Sequence, residues 1–239
     1  MIGLLRLIVV AVPATLWWGS RVLWAARRES PRLHCLCETV ARRWARALLR
    51  SVGARVVLHN AEIIDPERPQ VLVANHESWF DVLALAGYVP GRFRFVAKKE
   101  LEGIPVFGPA WQACGHISID RQDRTRAIES LAVARQQLVD ERPTVILFPE
   151  GTRSVTGQLR SFKKGAFVLA IQTGVDVVPA AIRGTRAIMR KGSWRIRAGG
   201  TIHVYFGEPI PVEGYRIEQR NELTGRARQA VLDLISAHP

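Results

Sequence analysis

Two kinds of side chain are scarce in this 239-residue chain. It has only three cysteines, and its 21 Asp and Glu face 34 Lys and Arg. Cys35, Cys37 and Cys114 make an odd, irregular set, which argues against a disulfide-stapled scaffold. The Cys-x-Cys pair is also a poor zinc site. These thiols read as inert side chains in a reducing compartment. The acidic deficit leaves a formal charge of +13. Such a surface attracts nucleic acid, anionic lipid head groups or acidic carriers, and does not by itself choose among them. Arginine supplies most of the charge, which suits bidentate contact with phosphate. Neither G-x-G-x-x-G nor G-x-x-x-x-G-K-[ST] occurs, which argues against a Rossmann nucleotide site or a P-loop. The chain has no recognisable helix-turn-helix, RNA-recognition or zinc-finger signature, so a nucleic-acid partner is not expected. Internal repeats and low-complexity runs are missing too.

What the chain has is a folding body behind an apolar start. Hydrophobic residues make up 48%, enough for one substantial core. The first stretch, MIGLLRLIVVAVPATLWWGSRVLWAARR, has a nearly uncharged run between Arg6 and Arg21. It reaches bilayer-spanning length only by including Arg21, which can snorkel. Pro13 is placed to kink it, and Trp17, Trp18 and Trp24 suit a membrane–water boundary. A weak charged leader and the lack of an A-x-A site disfavour a cleaved signal. The following segment sets Leu36, Val40, Trp44, Ala47 and Leu48 near one helical face. Arg42, Arg46 and Arg50, with Arg43 beside them, form a basic face suited to an anionic membrane. The expected organisation is a membrane-associated helix pair over residues 1–52 and an α/β body over 53–239. Arginines beside the apolar run place the body on the cytoplasmic side of a cytoplasmic membrane.

From residue 55 the pattern alternates. RVVLH, QVLVA, RFRFVA, HISID, TVILF, DVVPAAI and TIHVYF read as strands. TRAIESLAVARQQLVD reads as a helix with Ile128, Leu131, Ala132, Arg135 and Leu138 on one face. The expected fold is α/β: a mixed, largely parallel sheet flanked by helices. WRIRAGGTIHVYFG reads as a late hairpin turning at Gly199–Gly200.

In such folds ligands gather beyond the carboxyl ends of strands. Three polar clusters stand there. NHESWFD, residues 75–81, allows three readings: a His76–Asp81 acid–base pair, a Ser78 nucleophile served by His76, or a capping box of Ser78 and Asp81. No G-x-S-x-G elbow supports the nucleophile. FPEGTRS, residues 148–154, brings Glu150, a hydroxyl-accepting carboxylate, beside Gly151, Thr152 and the phosphate-gripping Arg153. Lys98 and Arg121 follow strand-like runs as further phosphate contacts. Each cluster alone is also a solvated turn.

Together they resemble the glycerophospholipid acyltransferase family, in its 1-acylglycerol-3-phosphate acyltransferase branch. NHESWFD matches the family's NHx4D motif. AKKELEGIPVFG with GHISIDR resembles its second region. FPEGTRS is its third motif and VVPAAI its fourth, all in order over residues 55–210. The resemblance implies that His76 deprotonates a lysophospholipid hydroxyl while Asp81 holds and polarises it. It further implies that Glu150, Gly151, Thr152, Arg153, Arg121 and Lys98 hold the glycerol phosphate. An acyl thioester of acyl carrier protein or coenzyme A is the implied donor, with no cofactor and no metal. Another lysolipid, such as lyso-ornithine lipid, is the alternative acceptor, and a noncatalytic anionic-membrane-binding protein is the alternative class.

Overall fold

The computed structural model describes residues 2–120 and 123–238. In chain order these residues form α1 (Ile2–Arg27), α2 (Leu33–Ser51), β1 (Arg55–His59), β2 (Gln70–Ala74), α3 (Trp79–Tyr88), β3 (Phe93–Lys98), α4 (Phe107–Ala113), β4 (Ile117–Ile119), α5 (Arg124–Asp140), β5 (Thr144–Leu147), α6 (Gly165–Thr173), β6 (Val177–Arg183), α7 (Thr185–Ile188), β7 (Thr201–Phe206) and α8 (Arg220–Ala237). The strands make one sheet ordered β1-β7-β6-β2-β5-β3-β4. From β6 to β4 every pairing is parallel; β7 runs antiparallel to β6 and parallel to β1. The sheet is therefore mixed and largely parallel, with helices on both faces.

Strand alternation sorts the core. In β2, Leu72 and Ala74 face α2 and α3, whereas Val71 and Val73 face α6 and α8. Both faces are covered, so β2 is apolar along its whole length.

Several sequence expectations change. The 194–198 run is not a strand, and β7 pairs with β6 and β1. Both edges of β7 are thereby filled, so a hairpin partner has no place. On α5 the inward stripe is Leu131, Ala134 and Leu138, while Ile128 points to solvent. α1 runs on through Pro13 without a break. Trp17 and Trp24 are exposed, but Trp18 turns inward beneath Arg43.

Two corrections matter more. The first concerns the arginines of α2. Arg46 Nε donates to Gly87 O at 2.7 Å, and the Arg42 guanidinium donates to Val89 O and Gly91 O. These cations cap the carbonyl end of α3 rather than form a free basic face. Arg43 and Arg50 remain exposed. The second is that Cys37 and Cys114 are joined by a disulfide, and only Cys35 is free. The bridge ties α2 to α4 across 77 residues of sequence. Only tertiary docking brings these positions together, so spacing could not foretell the pair.

α1 lies along the body. A Cβ on Gly3 would sit 2.5 Å from Ile196 O, and one on Gly19 2.5 Å from Val106 Cγ1. Trp44 Nε1 donates to Thr15 Oγ1 at 2.9 Å. The opposite face of α1 leaves Leu5, Ile8, Val9, Val12, Leu16, Trp17 and Trp24 exposed. By length and composition, Gly3–Arg27 is long and apolar enough to cross a membrane.

Candidate active site

The end of β2 is pinned first. Asn75 Nδ2 donates to Ile182 O at 2.9 Å, and Ile182 N donates to Asn75 Oδ1 at 2.7 Å. The buried Asn75 side chain thus carries the β2–β6 connection one residue past the strand. The chain then turns into α3 through Ser78, whose Oγ accepts from Phe80 N at 3.3 Å. Asp81 completes a capping box: its Oδ2 accepts from Ser78 N at 2.8 Å and from Glu77 N at 2.7 Å.

The same Oδ2 lies 2.8 Å from His76 Nδ1. Asp81 is fully buried, so the carboxylate depends on these donors and on the positive end of α3 for its charge. An acceptor at Nδ1 puts the ring proton there and leaves Nε2 as the basic nitrogen. The ring stacks on Phe148 at 4.1 Å and 18°. Its backbone is clamped as well: His76 N donates to Glu150 Oε1 at 2.7 Å, and Ser154 N donates to His76 O at 2.7 Å. Ser78 is buried, and its hydroxyl donates to Met189 O at 2.8 Å. The pair and the cap are therefore one arrangement, and the nucleophile reading loses its accessible hydroxyl.

Glu77 sits beside this pair. Burial first, and the Asp81 charge second, push its carboxyl up to about 7.

The FPEGTRS turn supplies the opposite wall. Glu150 was expected to accept substrate hydroxyls. Instead Oε1 takes the His76 amide, and Oε2 takes the Arg160 amide at 3.0 Å. The side chain is buried, and burial raises its carboxyl above the ordinary range. Its observed contacts hold the turns together. Gly151 adopts φ +72°, and a Cβ there would meet Lys163 Cε at 2.8 Å. Thr152 Oγ1 accepts from Lys191 Nζ at 3.0 Å, and Arg153 O accepts from the same ammonium at 2.8 Å. The Arg153 guanidinium lies 5.0 Å over the Trp79 ring. Among the described residues it makes no salt bridge; burial lowers it from the usual guanidinium range and the Asp81 charge acts against that. Lys98 pairs with Glu100 at 3.1 Å, with both side chains largely exposed. Arg121 lies outside the described residues.

Sequence reasoning missed Lys191 and Trp79, which no motif singled out as binding groups. It also missed the cavity that opens beside His76. This cavity of about 730 Å³ lies between β3 and the helices α1, α2 and α4. His76, Phe148, Thr152 and Arg153 stand at the carboxyl end of the sheet. Phe93 and His116 line it near the start of β3, which pairs with Thr144 at the start of β5. The strand rise from Thr144 to Phe148 makes that span roughly 13 Å. The walls are mostly apolar. His116 lines the cavity, and burial followed by the Arg94 charge lowers it to about 3, so it is neutral at physiological pH.

Relatives sharpen the picture. A 1-acyl-sn-glycerol-3-phosphate acyltransferase of Cocos nucifera is 33% identical over 176 residues, covering 74% of this chain and 56% of its own length. The alpha form of Homo sapiens is 34% identical over 180 residues, covering 75% and 63%. The chain thus spans little more than half the length of these curated relatives. The crystal structure of the 1-acyl-sn-glycerophosphate (LPA) acyltransferase PlsC from Thermotoga maritima superposes with a TM-score of 0.80 at 27% identity. That match covers 97% of this chain and 94% of the other. The Acyltransferase family profile matches residues 55–183, a span holding the His–Asp pair, the FPEGTRS turn and the strand after it. On that match and those identities, the chain belongs to the acyltransferase family.

Proposed function

We propose that this protein is a 1-acyl-sn-glycerol-3-phosphate O-acyltransferase that converts lysophosphatidate to phosphatidate with an acyl thioester donor. The observation that carries the reading is the 2.8 Å contact between His76 Nδ1 and the buried Asp81 carboxylate at the mouth of a long apolar cavity. His76 Nε2 takes the proton of the sn-2 hydroxyl as its oxygen attacks the thioester carbonyl. The C–S bond then breaks, the new ester remains on the glycerol, and the departing thiolate recovers the proton from His76. Asp81 stabilises the transient imidazolium. The carboxylate stays ionised throughout.

Arg153 is the proposed phosphate contact: it is half-buried and stands beside His76's wall. A guanidinium that lies over Trp79 and makes no salt bridge among the described residues supports a phosphate-bearing acceptor over a zwitterionic lysolipid. Gly151 and Thr152 shape that pocket with Lys191. Glu150 acts as a positioning residue, because both its oxygens hold backbone amides. Lys98 and Arg121 are proposed as outer phosphate contacts. The cavity takes one acyl chain.

Residues 1–52 form the membrane-associated segment in this reading, and 53–239 the catalytic body. The body faces the cytoplasm, where acyl carrier protein or coenzyme A delivers the donor. α1 lies in the bilayer interface: one face packs on the body and the other is apolar and exposed. A lysolipid whose tail stays in the bilayer then presents its hydroxyl to His76 at head-group height, leaving the cavity to the donor chain.

The test offers purified protein lysophosphatidate and lyso-ornithine lipid, each with acyl–acyl carrier protein or acyl-coenzyme A, and identifies the products. Turnover of lyso-ornithine lipid without turnover of lysophosphatidate would sink the acceptor assignment. Wild-type transfer by His76→Ala and Asp81→Ala would sink the mechanism.

A further inference from the structure

One exposed feature plays no part in the reaction above: beyond Lys191, the tip of the loop that follows α7, MRKGSWRIR, residues 189–197. Trp194 is 76% exposed, more than any other large hydrophobic residue among those described. Arg190, Arg195 and Arg197 around it are exposed and have no carboxylate partner among the described residues. An isolated exposed tryptophan on a loose loop would mean little. This loop is tied down at several points.

Met189 O accepts from the Ser78 hydroxyl at the α3 cap. Lys191 reaches Thr152 and the Arg153 carbonyl. Arg197 N donates to Ile188 O at 2.9 Å, closing the base of the loop. Ser193 N donates to Arg190 O at 3.2 Å, and Arg195 N to Ser193 Oγ at 3.0 Å, shaping its tip. Ile196 is buried, and its backbone lies against Gly3 of α1 so closely that a Cβ there would clash. The tip is thus presented beside the first turns of α1, whose Leu5, Ile8 and Val9 are also exposed.

We propose that residues 190–197 are a second membrane-contact element, with Trp194 entering the bilayer interface and Arg190, Arg195 and Arg197 meeting anionic head groups. The occupant is a lipid surface for two reasons. The tip stands beside the N-terminal turns of a helix whose outer face is apolar, and its charge is entirely of the sign that anionic lipid attracts. An amphipathic indole flanked by guanidiniums suits the head-group boundary. Two contacts, one along α1 and one at this tip, fix the tilt of the body as a single helix cannot. They set the cavity mouth, which Trp194 also borders, at head-group depth. The proposal rests on the reading that α1 lies in the interface.

The test reports on each contact separately. In a Cys35→Ser background, which leaves the Cys37–Cys114 bridge intact, Trp194→Cys or Trp17→Cys carries an environment-sensitive fluorophore. Each full-length protein is reconstituted into phosphatidylcholine vesicles, with or without phosphatidylglycerol and with or without brominated acyl chains. The expected result is a blue shift and bromine quenching at position 194, stronger with phosphatidylglycerol. Replacing Arg190, Arg195 and Arg197 by Gln should remove that excess, at roughly fivefold in binding strength per charge. Quenching at 17 without quenching at 194 overturns the loop contact alone. Silence at both positions overturns it together with the interfacial reading of α1. Quenching at 194 that ignores lipid charge overturns the role of the arginines. As a second readout, Trp194→Ala should slow turnover of vesicle-embedded lysophosphatidate more than that of a water-soluble short-chain form. Equal slowing would assign Trp194 to the substrate site and overturn the proposal.

Discussion

The two faces of the sheet are built from the same strands and serve opposite ends. On the face of α5, α6 and α8, Phe167, Leu169, Ala134, Leu138, Leu223 and Val231 close over Val71, Val73 and Val145. On the face of α1 to α4 the strands are as apolar, yet the helices leave a cavity of about 730 Å³. An apolar cavity forgoes the side-chain contacts that a closed core makes. The open face also carries the one disulfide among the described residues, Cys37–Cys114, beside the Trp44–Thr15 hydrogen bond and the α2 arginines on the end of α3. The contrast teaches where each kind of damage should appear: in stability behind the sheet, in turnover or chain length in front.

The largest expected effect is on the open face. His76→Ala should cut turnover by roughly 10²–10⁴-fold while the melting temperature stays near that of the parent. Asp81→Asn should lose activity comparably, since it disturbs the Nδ1–H tautomer. A large fall in melting temperature for His76→Ala would blur the separation. The mirror experiment is Phe167→Ala on the closed face. It should cost about 3–5 kcal/mol of stability and leave kcat per folded molecule unchanged; denaturant unfolding and active-site titration check both. Cys114→Ser comes next. Losing a bridge should cost about 2–4 kcal/mol, with α1 and α2 loosening first. Equal thermal unfolding with and without reductant would show that the bridge does not form, and would favour the reducing compartment implied by a cytoplasmic active site. Ala110→Leu, which adds bulk to the cavity wall, should cost no more than about 3 kcal/mol of stability. It should shift donor preference to shorter acyl chains, read from competition among thioesters.

The smallest effect concerns pH. Glu77 titrates at about 7 in the fold, against 4.5 when free. Its folded value is raised, so its contribution is complete below 4.5 and is lost as pH rises through about 7. Glu77→Gln should flatten stability across that window and move the acidic limb of the pH–rate profile without abolishing activity. An unchanged stability–pH curve would remove Glu77 from that account.

Local features were legible in the sequence. Ser78 and Asp81 stand at capping-box spacing, and that geometry alone brings Asp81 under His76, because the histidine precedes the helix rather than lying on it. The strands were readable from β-branched runs, and the parallel order from the helices between them. What escaped depends on distant packing. Arg42 and Arg46 read as a solvated face because the carbonyls they reach belong to another helix. Glu150 read as a substrate contact because nothing nearby shows its oxygens spent on His76 and Arg160. The Trp194–Arg197 run has strand alternation, but β6 and β1 already fill both edges of β7. Lys191 carries no motif at all.

Asp81 Oδ2 accepts three donors: the Glu77 amide, the Ser78 amide and the His76 ring. Two of these are exchangeable backbone hydrogens. Whenever the first turn of α3 frays, both amides open to solvent and the imidazole loses its counter-ion in the same event. The exchange rates of the Glu77 and Ser78 amides therefore clock how often the base is disarmed, in resting protein with no substrate present.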